Sequence, residues 1–110
     1  MVVWWATPVE IASAIARLLR MQHIDSSDCA NARKLASKLA ESWSMIRPSD
    51  SLRTKATQLV ERYDLRAADS LQLAAAMAWC EDAPRDRVFL AIDQKLREAA
   101  LLAGFDSRQI

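Results

Sequence analysis

The sequence predicts an α/β fold with a short parallel sheet and a high helix content, contained in one domain over residues 1–110. Two short uncharged runs, residues 2–5 and 88–92, have the β-branched and aromatic composition of buried strands. Segments with helical periodicity separate them, and a single glycine in 110 residues leaves little provision for hairpin turns. Strands joined by helices rather than by hairpins are typical of a parallel sheet.

The first quarter of the chain predicts a strand followed by a buried helix. Residues 2–5 form the strand, which we expect to be buried on both faces. Thr7, Pro8 and Glu10 match a helix start in which Thr7 is the N-cap and Glu10 completes a capping box. A helix is therefore predicted up to about Met21. Its apolar residues cover more than one face, which predicts burial on several sides.

The middle of the chain predicts a second helix, a short strand and a third helix. Residues 26–28 supply candidate N-caps, and the apolar positions after them recur with a period close to 3.6 residues. Residues 44–47 match a short edge strand that Pro48 ends. A third helix is predicted from about Ser49, with an apolar stripe that includes Leu59.

The last third of the chain predicts its most buried helix, a second strand and a final helix. Residues 66–81 consist almost entirely of alanine, leucine and methionine, which favours helix and close packing at the centre of the domain. Residues 88–92 predict a strand that ends at Asp93. The final helix is expected to stop at Gly104, because glycine is common directly after a helix C-terminus.

Three carboxylates, those of Glu10, Asp69 and Asp93, lie where predicted helices begin. Glu10 and Asp93 follow the carboxyl ends of two strands, and such ends meet at one edge of a parallel sheet. Asp69 begins a helix too apolar to accommodate a charge along its length. Because clustered carboxylates repel one another unless a cation neutralises them, the pattern predicts a hard divalent ion, best fitted by Mg²⁺. The alternative for each acid is structural, as a helix cap or a partner of the helix dipole.

Two neighbours of Asp69 are candidate substrate-binding residues. Arg66 has the guanidinium that phosphate groups bind, and the alternative is an ion pair with Asp64. The Ser70 hydroxyl is placed to orient a carboxylate or a bound water, and the alternative is a capping role. His23 is the only histidine, so no Ser-His-Asp or Cys-His scheme can be built convincingly.

Composition sets wide limits on function. Fifteen basic and fourteen acidic residues give a net charge of +1, which neither requires nor excludes nucleic acid as a partner. No uncharged apolar stretch approaches the roughly 20 residues that span a bilayer. Cys29 and Cys80 lack metal-ligand spacing, and the residues after Met1 do not have the pattern of a signal peptide. We therefore expect a reduced, cytoplasmic protein with no membrane partner.

Residues 65–76 (LRAADSLQLAAA) and 89–96 (FLAIDQKL) resemble the C-terminal half of a PIN domain, and more narrowly the VapC toxins of type II toxin–antitoxin systems. Residues 2–10 (VVWWATPVE) are similar to that family's second strand and the helix start after it. The resemblance covers essentially the whole chain. It implies a three-layer α/β/α fold, an endoribonuclease that uses Mg²⁺ or Mn²⁺ to hydrolyse RNA phosphodiesters, and a cognate antitoxin as protein partner.

By this resemblance, Glu10, Asp69 and Asp93 correspond to the second, third and fourth of the family's four acidic metal-binding and catalytic positions. The family's first acid, an aspartate, ends the central strand of the sheet, and that strand has no counterpart after Met1. The resemblance thus implies a truncated domain whose cleavage activity is impaired. An inert PIN-like module that dimerises or binds an antitoxin is the alternative, and a coding sequence that begins upstream of Met1 is a third interpretation.

The absent central strand also predicts an oligomer. Without it, the strands at residues 2–5 and 88–92 have backbone groups that need partners. The two strands are expected either to pair directly with each other or to receive a strand from a second chain. The second arrangement predicts a homodimer or a strand-swapped oligomer.

Overall fold

Five helices and four short strands make up residues 1–109, the part of the chain that the computed structural model describes. In chain order the elements are β1 (Val2–Trp4), α1 (Thr7–Arg20), α2 (Ser26–Ala40), β2 (Ser44–Ile46), α3 (Asp50–Arg62), α4 (Ala67–Trp79), β3 (Val88–Ala91), α5 (Gln94–Ala103) and β4 (Asp106–Gln109). The predicted α/β fold with short parallel strands and a high helix content is confirmed. None of the helices in this range combines the length and the apolar character needed to cross a membrane.

The strands form two separate parallel pairs. β1 pairs with β2, with Val3 opposite Met45, and β3 pairs with β4, with Phe89 opposite Ser107. Within residues 1–109 no ladder joins β1 to β3, so the expected direct pairing of these two strands does not occur. A strand supplied by a second chain stays a prediction.

Helix α4 is the centre of the core, as its composition predicts. Leu73 and Ala74 have no exposed surface, and α3, β1 and α5 all pack against α4. The predicted stripe of α3 is buried through Leu52, Ala56 and Leu59. One contiguous cluster of buried residues joins α4 to both strand pairs, through Trp4 of β1 and through Phe89 and Ala91 of β3.

The expectation that residues 2–5 are buried on both faces is met only in part, since Trp4 is buried and Val2 and Val3 are half-buried, and β3 has one exposed face. In β3, Phe89 and Ala91 face the core, whereas Val88 and Leu90 are about half exposed. β1 ends at Trp4, and the Trp5 side chain is also half exposed. The alternation is that of a sheet with one solvated face, because helices of this chain cover only the inner side of these strands.

Helices α1 and α2 pack mainly against each other. Only Ile15 of α1 and Cys29 of α2 are buried. Large apolar side chains such as Val9 and Leu35 are 70% and 59% exposed. The expected burial of α1 on several sides is therefore wrong, since α2 covers one of its faces and the remaining apolar residues lie at the surface.

The starts of α1 and α2 differ from the sequence expectation. The N-cap of α1 is Ala6, which makes no side-chain capping bond, and Thr7 is already helical. Glu10 therefore does not complete a capping box. In α2 the N-cap is Asp25, one residue before the predicted candidates, and it forms a capping box with Asp28 through bonds of 2.8 and 3.3 Å.

The chain after α5 contains a strand that the sequence did not predict. Gly104 ends α5 as expected, with a φ of 113° that favours glycine. Phe105 then inserts into the core, and β4 follows along the edge of β3. The Ser107 hydroxyl donates to the Arg97 carbonyl of α5 at 2.8 Å, which ties this polar strand to the helix before it.

Candidate functional site

The three acids are placed by the starts of three helices. β1 leads into α1, whose first turn carries Glu10, and β3 leads into α5, whose N-cap is Asp93. Asp69 lies in the first turn of α4. Partial burial raises the pKa of both Glu10 and Asp69; the charge of Asp69 adds to the first shift, and the charge of Asp93 adds to the second. The fold therefore brings the three carboxylates within electrostatic range of one another, with Asp69 in the middle.

The Glu10 carboxylate is engaged by a residue from the opposite half of the chain. Gln72, on α4, donates from its Nε2 to Glu10 Oε2 at 2.5 Å. Partial burial raises the pKa of Glu10, the Gln72 bond opposes that shift, and the nearby Asp69 charge adds to it. Glu10 has no capping role, so the capping-box alternative is wrong, although the acid lies in the first turn of α1, where the helix dipole favours it.

Asp93 has a structural role that leaves part of its carboxylate available. Its Oδ1 accepts a hydrogen bond from the Leu96 backbone N–H at 2.9 Å, which caps α5 as the sequence suggested. The cap fixes the side chain at the carboxyl end of β3 and uses one of its two oxygens. Capping and cation binding are thus compatible at Asp93.

A basic rim lies beside the acids. Partial burial raises the pKa of Asp69, the Asp93 charge raises it further, and the Arg66 guanidinium opposes both. The alternative partner of Arg66, Asp64, is instead bound by Lys95 at 2.7 Å, and this bond lowers the pKa of Asp64 and raises that of Lys95. Arg66 therefore keeps its guanidinium near Asp69 rather than in an ion pair with Asp64.

Ser70 lies inside the protein rather than at the site surface. It is 1% exposed, and its hydroxyl donates to the Ala67 carbonyl at 2.8 Å. This bond to the preceding turn satisfies a polar group that would otherwise be buried without a partner. The arrangement fits the structural alternative for Ser70.

The donor set suits a hydrated cation. Within the described residues, no three Asp, Glu, His or Cys side chains are close enough together to ligate one ion directly. Mg²⁺, however, keeps several waters and takes only one or two carboxylates directly. Carboxylates whose pKa is raised by mutual repulsion are also stabilised by added positive charge. Glu10, Asp69 and Asp93 are the residues that would hold such a cation.

Sequence reasoning missed Gln72 as a site residue. A glutamine in an apolar helix has no motif of its own, so the sequence pattern assigns it no role. Its spacing is nevertheless informative, because residues three apart lie on the same helix face. Gln72 follows Asp69 at that spacing, so the face that presents the acid also presents the amide.

A surface cavity lies away from the acids. It has a volume of about 240 Å³ and lies between α3 and the C-terminal half of α4, where Lys55 forms a 3.4 Å ion pair with Asp82. Asp69 is at the other end of α4. The acids therefore form an open surface site rather than a closed pocket.

In comparisons with known proteins, no protein-family model, no curated protein and no solved structure matches this chain. The resemblance to VapC toxins therefore stays a prediction that rests on the residues quoted for it.

Proposed function

We propose that this chain is a PIN-like, Mg²⁺-dependent endoribonuclease domain, similar to VapC toxins, that hydrolyses RNA phosphodiesters. The observation that supports it most strongly is the placement of Glu10, Asp69 and Asp93 at the starts of three helices, with Gln72 of α4 bound to Glu10 of α1. Helix N-termini also favour phosphate groups, because their backbone N–H groups are free and the helix dipole is positive there. A divalent cation and an RNA phosphate both fit the chemistry of these three helix starts.

The residues of the chain have separate tasks in this proposal. Asp69 is the central cation ligand, Glu10 approaches it from α1, and Asp93 does so from α5. Arg66 contributes a guanidinium for the substrate phosphate. Bound Mg²⁺ or Mn²⁺ would supply the positive charge that activates a water and stabilises the phosphate during hydrolysis.

An RNA-cleavage assay with Mg²⁺ or Mn²⁺ tests the proposal. Asp69→Asn and Asp93→Asn remove charge while keeping the side-chain size, and asparagine still caps a helix, so α5 should keep its start. Each variant should cleave at least about 10- to 100-fold more slowly than the wild type. The control is Asp86→Asn, in the loop at the amino end of β3. Equal trace cleavage by the wild type and Asp69→Asn would contradict the proposal.

A second function, as an interaction module, is favoured by a difference between the strands: β2 and β4 have charged residues or proline in or next to them, whereas β1 and β3 contain neither. β2 is followed by Arg47 and Pro48, and β4 contains Asp106 and Arg108. Charges and proline protect exposed sheet edges from pairing with other chains. β1 and β3 contain no charged residue and no proline, although each has a hydrogen-bonded neighbour on only one side within the described residues.

We infer that a second copy of this chain pairs with the free edge of β1. The net charge of +1 gives two copies little long-range repulsion. The Met1 carbonyl accepts a hydrogen bond from the Ser44 N–H at 3.0 Å, and the Trp5 N–H donates to the Ile46 carbonyl at 2.9 Å. The backbone groups of Met1 and Trp5 therefore face β2. Because alternate residues of a parallel strand bond to opposite sides, Val2 directs its N–H to the free edge.

Light scattering at micromolar concentration tests this pairing. Val2→Pro removes one N–H from the free edge and should weaken self-association while the fold remains intact by circular dichroism. In contrast, Val3→Pro should disrupt the pairing of β1 with β2 and destabilise the fold. A wild-type chain that is strictly monomeric at these concentrations would exclude the module function in this form.

A further inference from the structure

The Gln72 side chain joins two parts of the molecule beside the acids. Its amide, on α4, binds the Glu10 carboxylate, on α1, across 62 positions of sequence. Both side chains are partly buried. Gln72 and Asp69 lie on the same face of α4, since they are three residues apart. One face of α4 therefore carries a carboxylate, that of Asp69, and a hydrogen-bond donor to a second carboxylate, that of Glu10.

The local structure of α1 does little to fix Glu10. The helix has no side-chain cap at its start, and only Ile15 is buried along its length. The neighbouring Val9 is 70% exposed. A glutamate side chain on such a helix has considerable rotamer freedom. The contact with Gln72 is therefore what places the Glu10 carboxylate relative to Asp69.

The chemistry of the donor also matters. An arginine or lysine in place of Gln72 would orient Glu10 and neutralise it at the same time, which would weaken its attraction for a cation. A neutral amide orients the carboxylate and leaves its charge intact. Hydrogen bonds of this kind to ligating carboxylates are a general feature of metal sites, and their loss typically lowers metal affinity 10- to 100-fold.

We propose that Gln72 is a positioning residue of the cation site, whose amide holds the Glu10 carboxylate toward Asp69 so that both act on one divalent ion. The inference rests on the cation-binding part of the proposed function. It assigns Gln72 no contact with substrate.

Calorimetric titration of the full chain with Mn²⁺ tests this role. Gln72→Ala should lower the Mn²⁺ affinity about 10-fold or more. The matched control is Gln94→Ala. Gln94 Nε2 donates in the same way to Glu98 Oε1 at 3.0 Å, but on the exposed surface of α5. This control should bind Mn²⁺ as the wild type does, and thermal unfolding of each variant shows that it is folded.

A double-mutant cycle separates positioning from general structural support. In a Glu10→Gln background, Gln72 has no ligand to position, so Gln72→Ala should cause no further loss of Mn²⁺ affinity. An equal loss in both backgrounds would overturn the positioning role, as would equal affinities of the wild type and Gln72→Ala. Neither result would affect the nuclease proposal. If Mn²⁺ affinity falls as expected but the wild type cleaves no RNA, the positioning role is supported and the nuclease proposal fails. A wild type that binds no Mn²⁺ overturns both.

Discussion

The α4-centred body, which comprises α3, α4, α5, β3 and β4, differs from the α1–α2 hairpin in how it uses apolar residues. In the body, leucines of the amphipathic stripes such as Leu59 and Leu73 are buried in one cluster. In the hairpin, Leu35 and Leu39 have the same helical spacing, but half or more of their surface is exposed. Periodicity therefore predicts that an apolar face exists and leaves open whether this chain covers it.

The candidate site lies where these two regions meet. Asp69 and Asp93 belong to the body, and Glu10 belongs to the first turn of the hairpin. The Gln72 bond is a polar connection between them. A cation bound by all three acids would therefore also attach the hairpin to the body, and its binding energy would oppose separation of the two regions.

The largest expected effect is a difference in leucine truncation between the two regions. Leu73→Ala removes a fully buried side chain from α4 and should lower the free energy of unfolding by about 2–5 kcal/mol. Leu39→Ala, in α2, removes a side chain that is 50% exposed and should change it by less than about 0.5 kcal/mol. Urea denaturation followed by circular dichroism measures both. A large effect of Leu39→Ala would show that the hairpin is packed in solution against another surface.

An intermediate effect is expected at the start of the hairpin's second helix. Asp25→Ala removes the capping box of α2 and should cost about 1 kcal/mol. We expect hydrogen exchange to accelerate in α2 and to stay unchanged in α4, because the hairpin opens locally. Ser27→Ala is the control, since this exposed residue in the same turn is not the cap. Equal acceleration in both helices would instead show that hairpin and body unfold as one unit.

Most helices and three of the four strands were predictable, because they have a local signal. Alanine and leucine content marks α4, α3 begins next to Ser49 as expected, and Gly104 ends α5. β4 has no such signal, since its residues are polar and its conformation depends on pairing with β3. The exposure of α1 could not be predicted from its local sequence either, because burial depends on which elements pack together.

The candidate site was predictable in part for the same reason. The positions of Glu10, Asp69 and Asp93 near helix starts follow from local patterns, and only the fold shows that their charges interact. The capping box assigned to Glu10 failed because α1 begins one residue earlier than the pattern suggested. Gln72 is identified as a site residue only by its hydrogen bond to Glu10, which is far away in the sequence and which no local pattern predicts.

The smallest expected effect concerns the charges at the junction of the two regions. The pKa values of Glu10 and Asp69 are raised in the folded chain, first by burial and then by repulsion. The folded state thus binds more protons than the unfolded state, and these two groups lower the free energy of unfolding as pH rises through their pKa values. This loss of stability is absent below about pH 4 and is complete above the raised pKa values of Glu10 and Asp69. The pKa values of Asp64 and Asp106 are lowered by Lys95 and Arg108, so these two acids raise the free energy of unfolding as pH rises. Their effect occurs at lower pH than that of Glu10 and Asp69.

Asp69→Asn isolates this penalty, because it removes the charge that interacts with both other acids. At pH 7 and without metal it should raise the free energy of unfolding by at most about 1 kcal/mol, since solvent screens these partly exposed groups. The gain should disappear below about pH 4, where the wild-type acids are protonated. Millimolar Mg²⁺ should stabilise the wild type and leave Asp69→Asn unchanged. Asp86→Asn, away from the site, should behave as the wild type throughout. If Asp69→Asn destabilises the chain at pH 7, Asp69 has a stabilising partner, and repulsion does not dominate where the hairpin meets the body.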